Sequence, residues 1–319
     1  MVHINEGYLQ KMKTDNLLTN FSYNLGCKLS FCDGCALGKI SRSKFPKGHT
    51  KSKILFEVIH SDLCGPLNCN SLGGSRYFVT FTDEYSGFTR INFLKSKSGV
   101  FDCFVNFVKK VEREFDTKIK FLRSDNGGEY LSKKFGEYLA DLGIQRQLTI
   151  PKTPEQNGLS ERLNRTLVEY LRCLLVQSRL HHKFWAEALS TVVYVRNRTY
   201  NSAIKGVPYE ILNKNKPDVG HFRVFGSLCY YHIPKDERRK LDPKGCKAIF
   251  VGYCIEQKGY RLFDQSKDRI VVSRDVIFHE DKWGFHNESS NDGNGYCSKD
   301  FEFIDNVENV SVDLSLIHI

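Results

Sequence analysis

The sequence lacks any apolar run close to the roughly 18 residues that a membrane-spanning helix requires, although 40% of its 319 residues are hydrophobic. A membrane-spanning protein is therefore excluded. Residues 1–6 show no basic stretch followed by an apolar one, so we expect no secretory signal and a protein that is not secreted. Asp-Ser/Thr-Gly and Tyr-x-Asp-Asp sequences are absent, and we therefore assign neither aspartic protease nor polymerase activity.

Acidic residues are too few to balance the basic ones. The chain has 47 Lys and Arg against 37 Asp and Glu, which gives a formal charge of +10 and a pI near 9.0. This balance favours a polyanionic partner, with nucleic acid ahead of a membrane surface. The eleven cysteines lack the spacing of a disulfide framework and indicate reduced thiols in a cytosolic or nuclear protein.

Changes in periodicity and charge divide the chain into four segments. Residues 1–47 form a short polar module that contains Cys32-Asp-Gly-Cys35. Residues 48–215 mix strand and helix patterns, and residues 222–283 carry short strand-like runs that suggest a small β-barrel. Residues 284–319 are rich in Asn, Ser, Gly and Asp and are expected to be a polar linker or tail.

Strand patterns come first in the second segment. Apolar residues predict a strand that ends at Cys64-Gly-Pro66, a hairpin over residues 77–93, and a further strand around Phe121. In the third segment the predicted strands cover residues 224–233, 247–253, 259–263 and 269–278.

Helix patterns follow the hairpin. Ser98 is expected to cap a helix with a phenylalanine-rich stripe, and Gly143 to end a helix that begins near Leu131. Longer helices are predicted over residues 156–177 and 181–196. A meander followed by alternating helices and strands predicts an α/β fold with a mixed sheet flanked by helices.

Three acidic residues lie where this order of elements could bring them together. Asp62 ends one predicted strand, Asp125 ends another, and Glu161 lies in the first turn of a helix. Glu161 is two positions from both Leu159 and Leu163, about 200° around the helix, so it points away from the leucine stripe. Clustered carboxylates repel one another and are stabilised by Mg²⁺, and two such ions can support phosphoryl transfer.

Each acid also has an alternative, purely structural role. Asp62 could start a Cys-Gly-Pro turn, Asp125 suits the first position of an Asp-Asn-Gly-Gly turn, and Glu161 is favourable near a helix N-terminus. The joint pattern, with 35 residues between Asp125 and Glu161, favours a common site.

The motifs around these acids are His60-Ser-Asp-Leu-Cys-Gly-Pro66, Leu122-Arg-Ser-Asp-Asn-Gly-Gly-Glu-Tyr130 and TPEQNGLSERLNRT at residues 153–166. FWAEA at 184–188, VFGS at 224–227 and FVGY at 250–253 accompany them. Together they resemble the integrase region of copia-type long-terminal-repeat retrotransposon Pol polyproteins. The resemblance implies an RNase H-like five-stranded mixed sheet, a gag-pre-integrase zinc module before it and an SH3-like β-barrel after it.

The resemblance also implies an activity. A DDE integrase, a polynucleotidyl transferase and endonuclease, would process the 3′ ends of element DNA and join them to target DNA. Its catalytic and metal-binding residues would be Asp62, Asp125 and Glu161, with Asp62 contacting both of two Mg²⁺ or Mn²⁺ ions and each of the other acids holding one. The implied partners are DNA, further copies of the chain and other parts of the polyprotein, with no membrane; the implied location is the nucleus, after a cytoplasmic particle stage.

Residues close to the acids are candidates for DNA contact. Gln156 and Asn157 precede the helix of Glu161, and Arg162 and Arg165 lie beside that residue, where they could touch bases or phosphates. Solvent-facing helix charges are the alternative for the arginines. The barrel segment adds basic residues that could bind phosphates or serve only solubility: Lys235, Arg238, Arg239, Lys240, Lys244 and Lys247.

A zinc site is suggested near the amino terminus. By resemblance, His3, Cys32 and Cys35 are three ligands of a His-His-Cys-Cys site, with 28 residues between His3 and Cys32. A structural zinc ion takes four ligands, and the family's other histidine would precede Met1. The site is therefore expected to be incomplete in this chain, and two buried thiols are the alternative.

Two other functions compete with DNA integration. A metal-dependent nuclease of the RNase H type would hydrolyse strands without joining them. A catalytically silent, transposon-derived protein would bind nucleic acid only. The three acids argue against the silent protein, whereas an incomplete zinc site favours it.

Overall fold

The computed structural model describes residues 52–148 and 158–284, together with Lys11, Thr14 and Asp15. The predicted zinc ligands His3, Cys32 and Cys35 lie outside the described residues, as do residues 285–319 of the predicted polar tail.

The first sheet has five strands. They are β1 (Val58–Cys64), β2 (Tyr77–Asp83), β3 (Thr89–Leu94), β4 (Phe121–Ser124) and β5 (Gln145–Leu148). Their order is β3-β2-β1-β4-β5, with antiparallel pairing within β1 to β3 and parallel pairing of β4 with β1 and β5. This confirms the predicted hairpin and the mixed five-stranded sheet flanked by helices.

Six α-helices accompany the sheets in the described parts of the chain. They are α1 (Val100–Phe115), α2 (Gly128–Leu131), α3 (Lys133–Asp141), α4 (Gly158–Ser178), α5 (Trp185–Arg196) and α6 (Pro208–Asn213). Short 3-10 turns cover Lys97–Gly99, His182–Phe184 and Lys235–Glu237. None of the described helices combines the length and the apolar character that crossing a membrane requires.

Two helix predictions need correction. Ser98 does not cap α1, because a 3-10 turn over Lys97–Gly99 precedes the helix and Gly99 occupies the capping position. The helix predicted to begin near Leu131 is two helices, since Ser132 adopts an extended conformation and its side chain accepts the Phe135 N–H. Gly143, at φ +68°, follows the end of α3 as predicted.

Aromatic side chains fill one face of the first sheet. Ile59, Val79 and Leu122 point into this face and are fully buried, where α1 and α3 cover them. The ring centroids of Phe81 and Phe107 lie 4.8 Å apart. The phenylalanine stripe predicted from the sequence is therefore the core of this side, and burial of such rings contributes roughly 1.5–3 kcal/mol each.

The second sheet is antiparallel throughout. Its strands are β6 (Ser227–His232), β7 (Gly245–Cys254), β8 (Gly259–Asp264), β9 (Arg269–Ser273) and β10 (Val276–Trp283), in the order β10-β6-β7-β8-β9. The single strand predicted over residues 269–278 is two strands, because β9 pairs with β8 whereas β10 crosses to the far edge and pairs with β6.

One face of the second sheet packs on α4 and α5. Ile249, Val251 and Phe263 share a buried cluster with the leucines of α4 and with Trp185 of α5. Arg261 of β8 also donates two hydrogen bonds of 2.8 Å to the carboxylate of Glu187 on α5. The helix α4, whose first turn holds Glu161, is therefore held between the two sheets.

Candidate active site

Two of the three predicted acids lie on neighbouring parallel strands. β1 and β4 pair with His60 opposite Arg123, and Asp62 and Asp125 each follow two residues later. Because side chains alternate along a strand, Asp62 lies on the same face of the sheet as His60, and Asp125 comes directly after the end of β4. Glu161 joins them from the first turn of α4, the helix that packs on β1.

The charges of these acids act on one another. Burial, together with the nearby charges of Asp125 and Glu161, raises the pKa of Asp62 from its ordinary 3.8 to about 7, although hydrogen bonds from Asn164 and the Leu63 N–H act in the opposite direction. The structure thus brings Asp62, Asp125 and Glu161 into one electrostatic group. Asp62 and Asp125 are half-buried, whereas Glu161 is exposed.

Asn164 orients the central carboxylate and was missed by the sequence analysis. Its Nδ2 donates to Asp62 Oδ2 at 2.9 Å, and its Oδ1 accepts from the Thr80 hydroxyl at 3.3 Å. The carboxylate of Asp62 fixes which end of the amide faces it, since an ionised carboxylate only accepts, and the Thr80 hydroxyl then donates to the amide oxygen. Asn164 lies three residues after Glu161, which places both on one helix face, and that spacing was the available signal.

Asp125 combines the site with the turn that was its alternative role. Its Oδ1 accepts the N–H of Gly127 at 3.0 Å, which closes the Asp-Asn-Gly turn after β4. This bond holds the carboxylate in one orientation. The two interpretations of Asp125 are therefore compatible.

A line of buried polar groups lies on the same face of the sheet as Asp62. Glu84 accepts from His60 and Arg123, and Arg123 also donates to Gln147. Burial alone would raise the pKa of Glu84, but hydrogen bonds from His60 and Ser52 and the charge of Arg123 lower it to about 2. Glu84 is therefore ionised at neutral pH.

The donor chemistry of the acids fits a divalent metal ion, although the side chains do not form a closed site. Within residues 52–148 and 158–284, no three His, Cys, Asp or Glu side chains lie close enough to hold a metal ion. The Coulomb interaction that raises the pKa of Asp62 acts over longer distances than metal coordination. Hard carboxylate oxygens are the ligands that Mg²⁺ and Mn²⁺ accept, and a cation would offset the repulsion at Asp62.

The residues predicted to contact DNA include some that the structure describes and some that it does not. Gln156 and Asn157 lie outside the described residues, whereas Arg162 and Arg165 are exposed on α4. Of the six basic residues predicted in the third segment, Arg238 is half-buried and donates to the Ile233 carbonyl at 3.2 Å. The other five are exposed.

Comparison with known families agrees with this architecture. The sequence profile of the integrase core domain matches residues 55–154, which include β1 to β5. The profile of the retroviral polymerase SH3-like domain matches residues 227–292, which include β6 to β10. The retrovirus-related Pol polyprotein from transposon TNT 1-94 of Nicotiana tabacum is 40% identical over 281 residues, or 88% of this chain.

The chain carries an integrase core domain and a retroviral SH3-like domain, and its relatives are copia-type retrotransposon Pol polyproteins. A second relative, the Pol polyprotein from transposon RE1 of Arabidopsis thaliana, is 31% identical over 290 residues, or 89% of this chain. The chain spans about a fifth of the length of these relatives, 21% and 20% respectively. They are copia-type polyproteins, so the resemblance drawn from the sequence motifs is confirmed.

Solved integrase structures show a weak overall similarity. A chain of the simian T-cell lymphotropic virus intasome, in complex with a PP2A regulatory subunit, has a TM-score of 0.44 and 15% identity, covering 74% of this chain and 84% of that one. The catalytic core domain of BIV integrase has a TM-score of 0.37 and 19% identity, covering 50% and 95%. At these scores the similarity carries no argument about function.

Proposed function

We propose that this chain is a metal-dependent DNA integrase that processes the 3′ ends of element DNA and joins them to target DNA. The observation that carries the proposal is the raised pKa of Asp62. This half-buried acid lies within the electrostatic influence of two further acids, and its hydrogen bonds from Asn164 and the Leu63 N–H offset only part of the increase in its pKa. Such incomplete compensation supports a site that takes up positive charge from outside.

Asp62, Asp125 and Glu161 would hold the metal ions. When bound, one or two divalent ions would lower the pKa of the attacking water or hydroxyl and stabilise charge on the phosphodiester. Asn164 and Thr80 keep the carboxylate of Asp62 in one orientation, and Gly127 does the same for Asp125. The chain's own groups thereby present oriented oxygens before any ion binds, which reduces the reorganisation needed on binding.

The two proposed steps balance without a further co-reactant. Water first cleaves a phosphodiester near the 3′ end of the element DNA and leaves a 3′-hydroxyl. That hydroxyl then attacks a phosphodiester of the target DNA, so that one P–O bond forms as another breaks. The number of phosphodiester bonds is conserved in the second step, and neither ATP nor a covalent protein intermediate is required.

Basic side chains would bind the DNA backbone around the site. Arg162 and Arg165 are exposed on α4 beside Glu161, within one turn of the proposed reaction centre. Contacts of this kind position phosphates without reading base sequence. The exposed lysines and arginines of residues 235–247 would bind further phosphates of the same DNA. Several copies of the chain would hold two DNA ends together, and the reaction would take place in the nucleus.

Strand joining tests the proposal directly. The purified chain is incubated with a branched DNA that resembles the joined product, with Mg²⁺ or Mn²⁺, beside the isosteric variant Asp125→Asn. Asp102→Asn is the matched control, because Asp102 is an exposed acid on α1 away from the site. Joining is expected in the wild type and in Asp102→Asn and is expected to be lost in Asp125→Asn.

Other outcomes favour the competing functions. Metal-dependent cleavage without joining would replace the integrase by a nuclease of the same fold. A folded chain that binds DNA but neither cuts nor joins it would leave a silent nucleic-acid-binding protein.

A further inference from the structure

One acidic side chain connects the two strands that carry Asp62 and Asp125. Glu84 follows directly after β2, and its Oε1 accepts hydrogen bonds from His60 Nε2 at 3.1 Å and from Arg123 Nη1 at 2.6 Å. Its Oε2 accepts the backbone N–H of Ser52 at 2.8 Å. Because an ionised carboxylate only accepts, His60 donates through Nε2 and Arg123 donates through its guanidinium. Three donors from separate parts of the chain thus hold Glu84 in one rotamer.

His60 and Arg123 are also the last paired residues between β1 and β4. The pairing of these strands runs from Val58 with Phe121 to His60 with Arg123. Beyond that point β1 remains paired with β2, and β4 remains paired with β5. Asp62 and Asp125 lie two residues further along. The separation of the two carboxylates therefore depends on how firmly the strands are held at His60 and Arg123.

We infer that Glu84 is a positioning residue of the proposed active site: it clamps His60 to Arg123 and so fixes the spacing of Asp62 and Asp125. The inference rests on the proposed function. Arg123 is also held from the other side, where its Nε donates to Gln147 Oε1 at 2.6 Å. The clamp thereby crosses the sheet from the end of β2 through β1 and β4 to β5.

The hydrogen bonds among Glu84, His60 and Arg123 are better explained by the positions that they fix than by a contribution to the stability of the fold. The side chains of Glu84 and His60 are 5% and 3% exposed, and burying charged groups costs about as much as their attraction returns. His60 Nδ1 is buried and has no hydrogen-bond partner among the described residues, which adds a further cost. What the three side chains supply is a set of directional bonds between two strands.

The test compares the buried ion pair of Glu84 with a partly buried ion pair of this chain. Glu84→Gln removes the charge of the clamp, and Glu187→Gln is the matched control, because Glu187 is 15% exposed and bonds Arg261 far along the chain from the acids. Calorimetry measures the Mn²⁺ affinity, and the branched DNA measures strand joining. Both measurements are made at temperatures where circular dichroism shows each variant folded. We expect Glu84→Gln to weaken Mn²⁺ binding about tenfold and joining by ~10–100-fold. Glu187→Gln is expected to lower only the melting temperature.

A second variant covers the case in which Glu84→Gln does not fold. Arg123→Lys keeps the positive charge but replaces the two separate donor nitrogens, Nε to Gln147 and Nη1 to Glu84, by one nitrogen on a flexible chain, and it is expected to show the same loss of Mn²⁺ affinity. Wild-type Mn²⁺ affinity and joining in a folded Glu84→Gln chain would overturn the inference. If the wild type binds Mn²⁺ without joining, and Glu84→Gln weakens that binding, the clamp stands and the integrase proposal fails. A wild type that neither binds Mn²⁺ nor joins DNA would overturn both.

Discussion

Asp62 of the first sheet is half-buried and Asp264 of the second is buried, and both lie near the ends of strands, yet their pKa values move in opposite directions. Burial raises the pKa of Asp62 to about 7, because the charges of Asp125 and Glu161 add to it. Burial acts in the same sense on Asp264, whose side chain has no exposed surface. Its hydrogen bonds outweigh that effect and lower its pKa below the ordinary value.

The difference lies in what the fold itself provides. Asp264 accepts from the Ser266 hydroxyl at 2.6 Å, the Ser266 N–H at 3.0 Å and the Tyr231 hydroxyl at 2.8 Å, and Lys267 Nζ lies 3.8 Å from it. Its negative charge is neutralised within the second sheet. The charge of Asp62 is not, and this distinguishes a carboxylate that serves the fold from one that is available to bind a cation.

Neutralising each aspartate should separate activity from stability, and this is the largest expected effect. Asp62→Asn is expected to reduce strand joining at least about 1,000-fold, or ~4 kcal/mol of barrier, because the proposed metal ligand is lost. Since the pKa of Asp62 is about 7 in the folded state and lower in the unfolded state, ionisation of Asp62 reduces stability as the pH rises from about 4 to about 7, and the reduction is constant above that range. The variant should therefore melt no lower than the wild type at pH 8. Asp264→Asn should join DNA normally where it is folded, and a loss of joining there would remove the contrast.

Asp264→Asn should instead reduce the free energy of unfolding, by about 2–3 kcal/mol at pH 7, because an amide nitrogen replaces an oxygen that accepts buried donors. The lowered pKa means that ionised Asp264 stabilises the folded state above the unfolded-state pKa, and that this stabilisation is lost as the pH falls below about 4. Urea titrations of the wild type and of Asp264→Asn between pH 3 and pH 8 measure the difference in their free energies of unfolding. If that difference stays constant over this pH range, the prediction is contradicted.

Asp62 and Asp264 cannot be told apart from the sequence. Asp62 precedes Leu-Cys-Gly-Pro and Asp264 precedes Gln-Ser-Lys, and either pattern suits a turn after a strand. Hydrophobic periodicity predicted the strands that end at each residue, because one face of each strand is apolar. It could not predict the donors around Asp264, since Tyr231 comes from a distant part of the chain. For Asp62, the order of the predicted elements and the spacing of Asp125 and Glu161 favoured a common site, and the family motifs supported it.

Local rules also failed where neighbouring elements decide the geometry. Of the residues that orient the site, Asn164 is marked only by its spacing of three residues from Glu161, and Glu84 carries no signal of its own in a single sequence. Ser98 was expected to cap α1, but the 3-10 turn over Lys97–Gly99 takes that place. The pairing of β10 with β6 rather than with its sequence neighbour β9 depends on closure of the second sheet, which alternation within one strand does not encode.

Removing the Asn164 side-chain donor to Asp62 should test how much orientation contributes. Asn164→Leu keeps a similar volume and lacks the Nδ2 that donates to Asp62, and strand joining is expected to fall about 10–30-fold, or ~1.4–2 kcal/mol. Thr80→Val should have a smaller effect of the same kind, because it leaves the Asn164 amide in place but free to turn. Mn²⁺ affinity should fall in the same order. Equal joining rates in Asn164→Leu and the wild type would show that Asp62 needs no such support.

The smallest expected effect concerns Arg162 and Arg165, the two basic residues beside Glu161. Arg162→Ala and Arg165→Ala should each weaken DNA binding about 3–5-fold and lower the slope of log affinity against log salt concentration by about 1, since each would remove one phosphate contact. Arg172→Ala is the matched control, because Arg172 is equally exposed on α4 but lies three turns from Glu161. Fluorescence anisotropy with a labelled duplex at several salt concentrations measures the slope. If all three variants lower the slope equally, the attraction between the DNA and α4 is spread along the helix. If only Arg162→Ala and Arg165→Ala lower it, the DNA backbone passes beside Glu161, one of the two acids whose charges raise the pKa of Asp62.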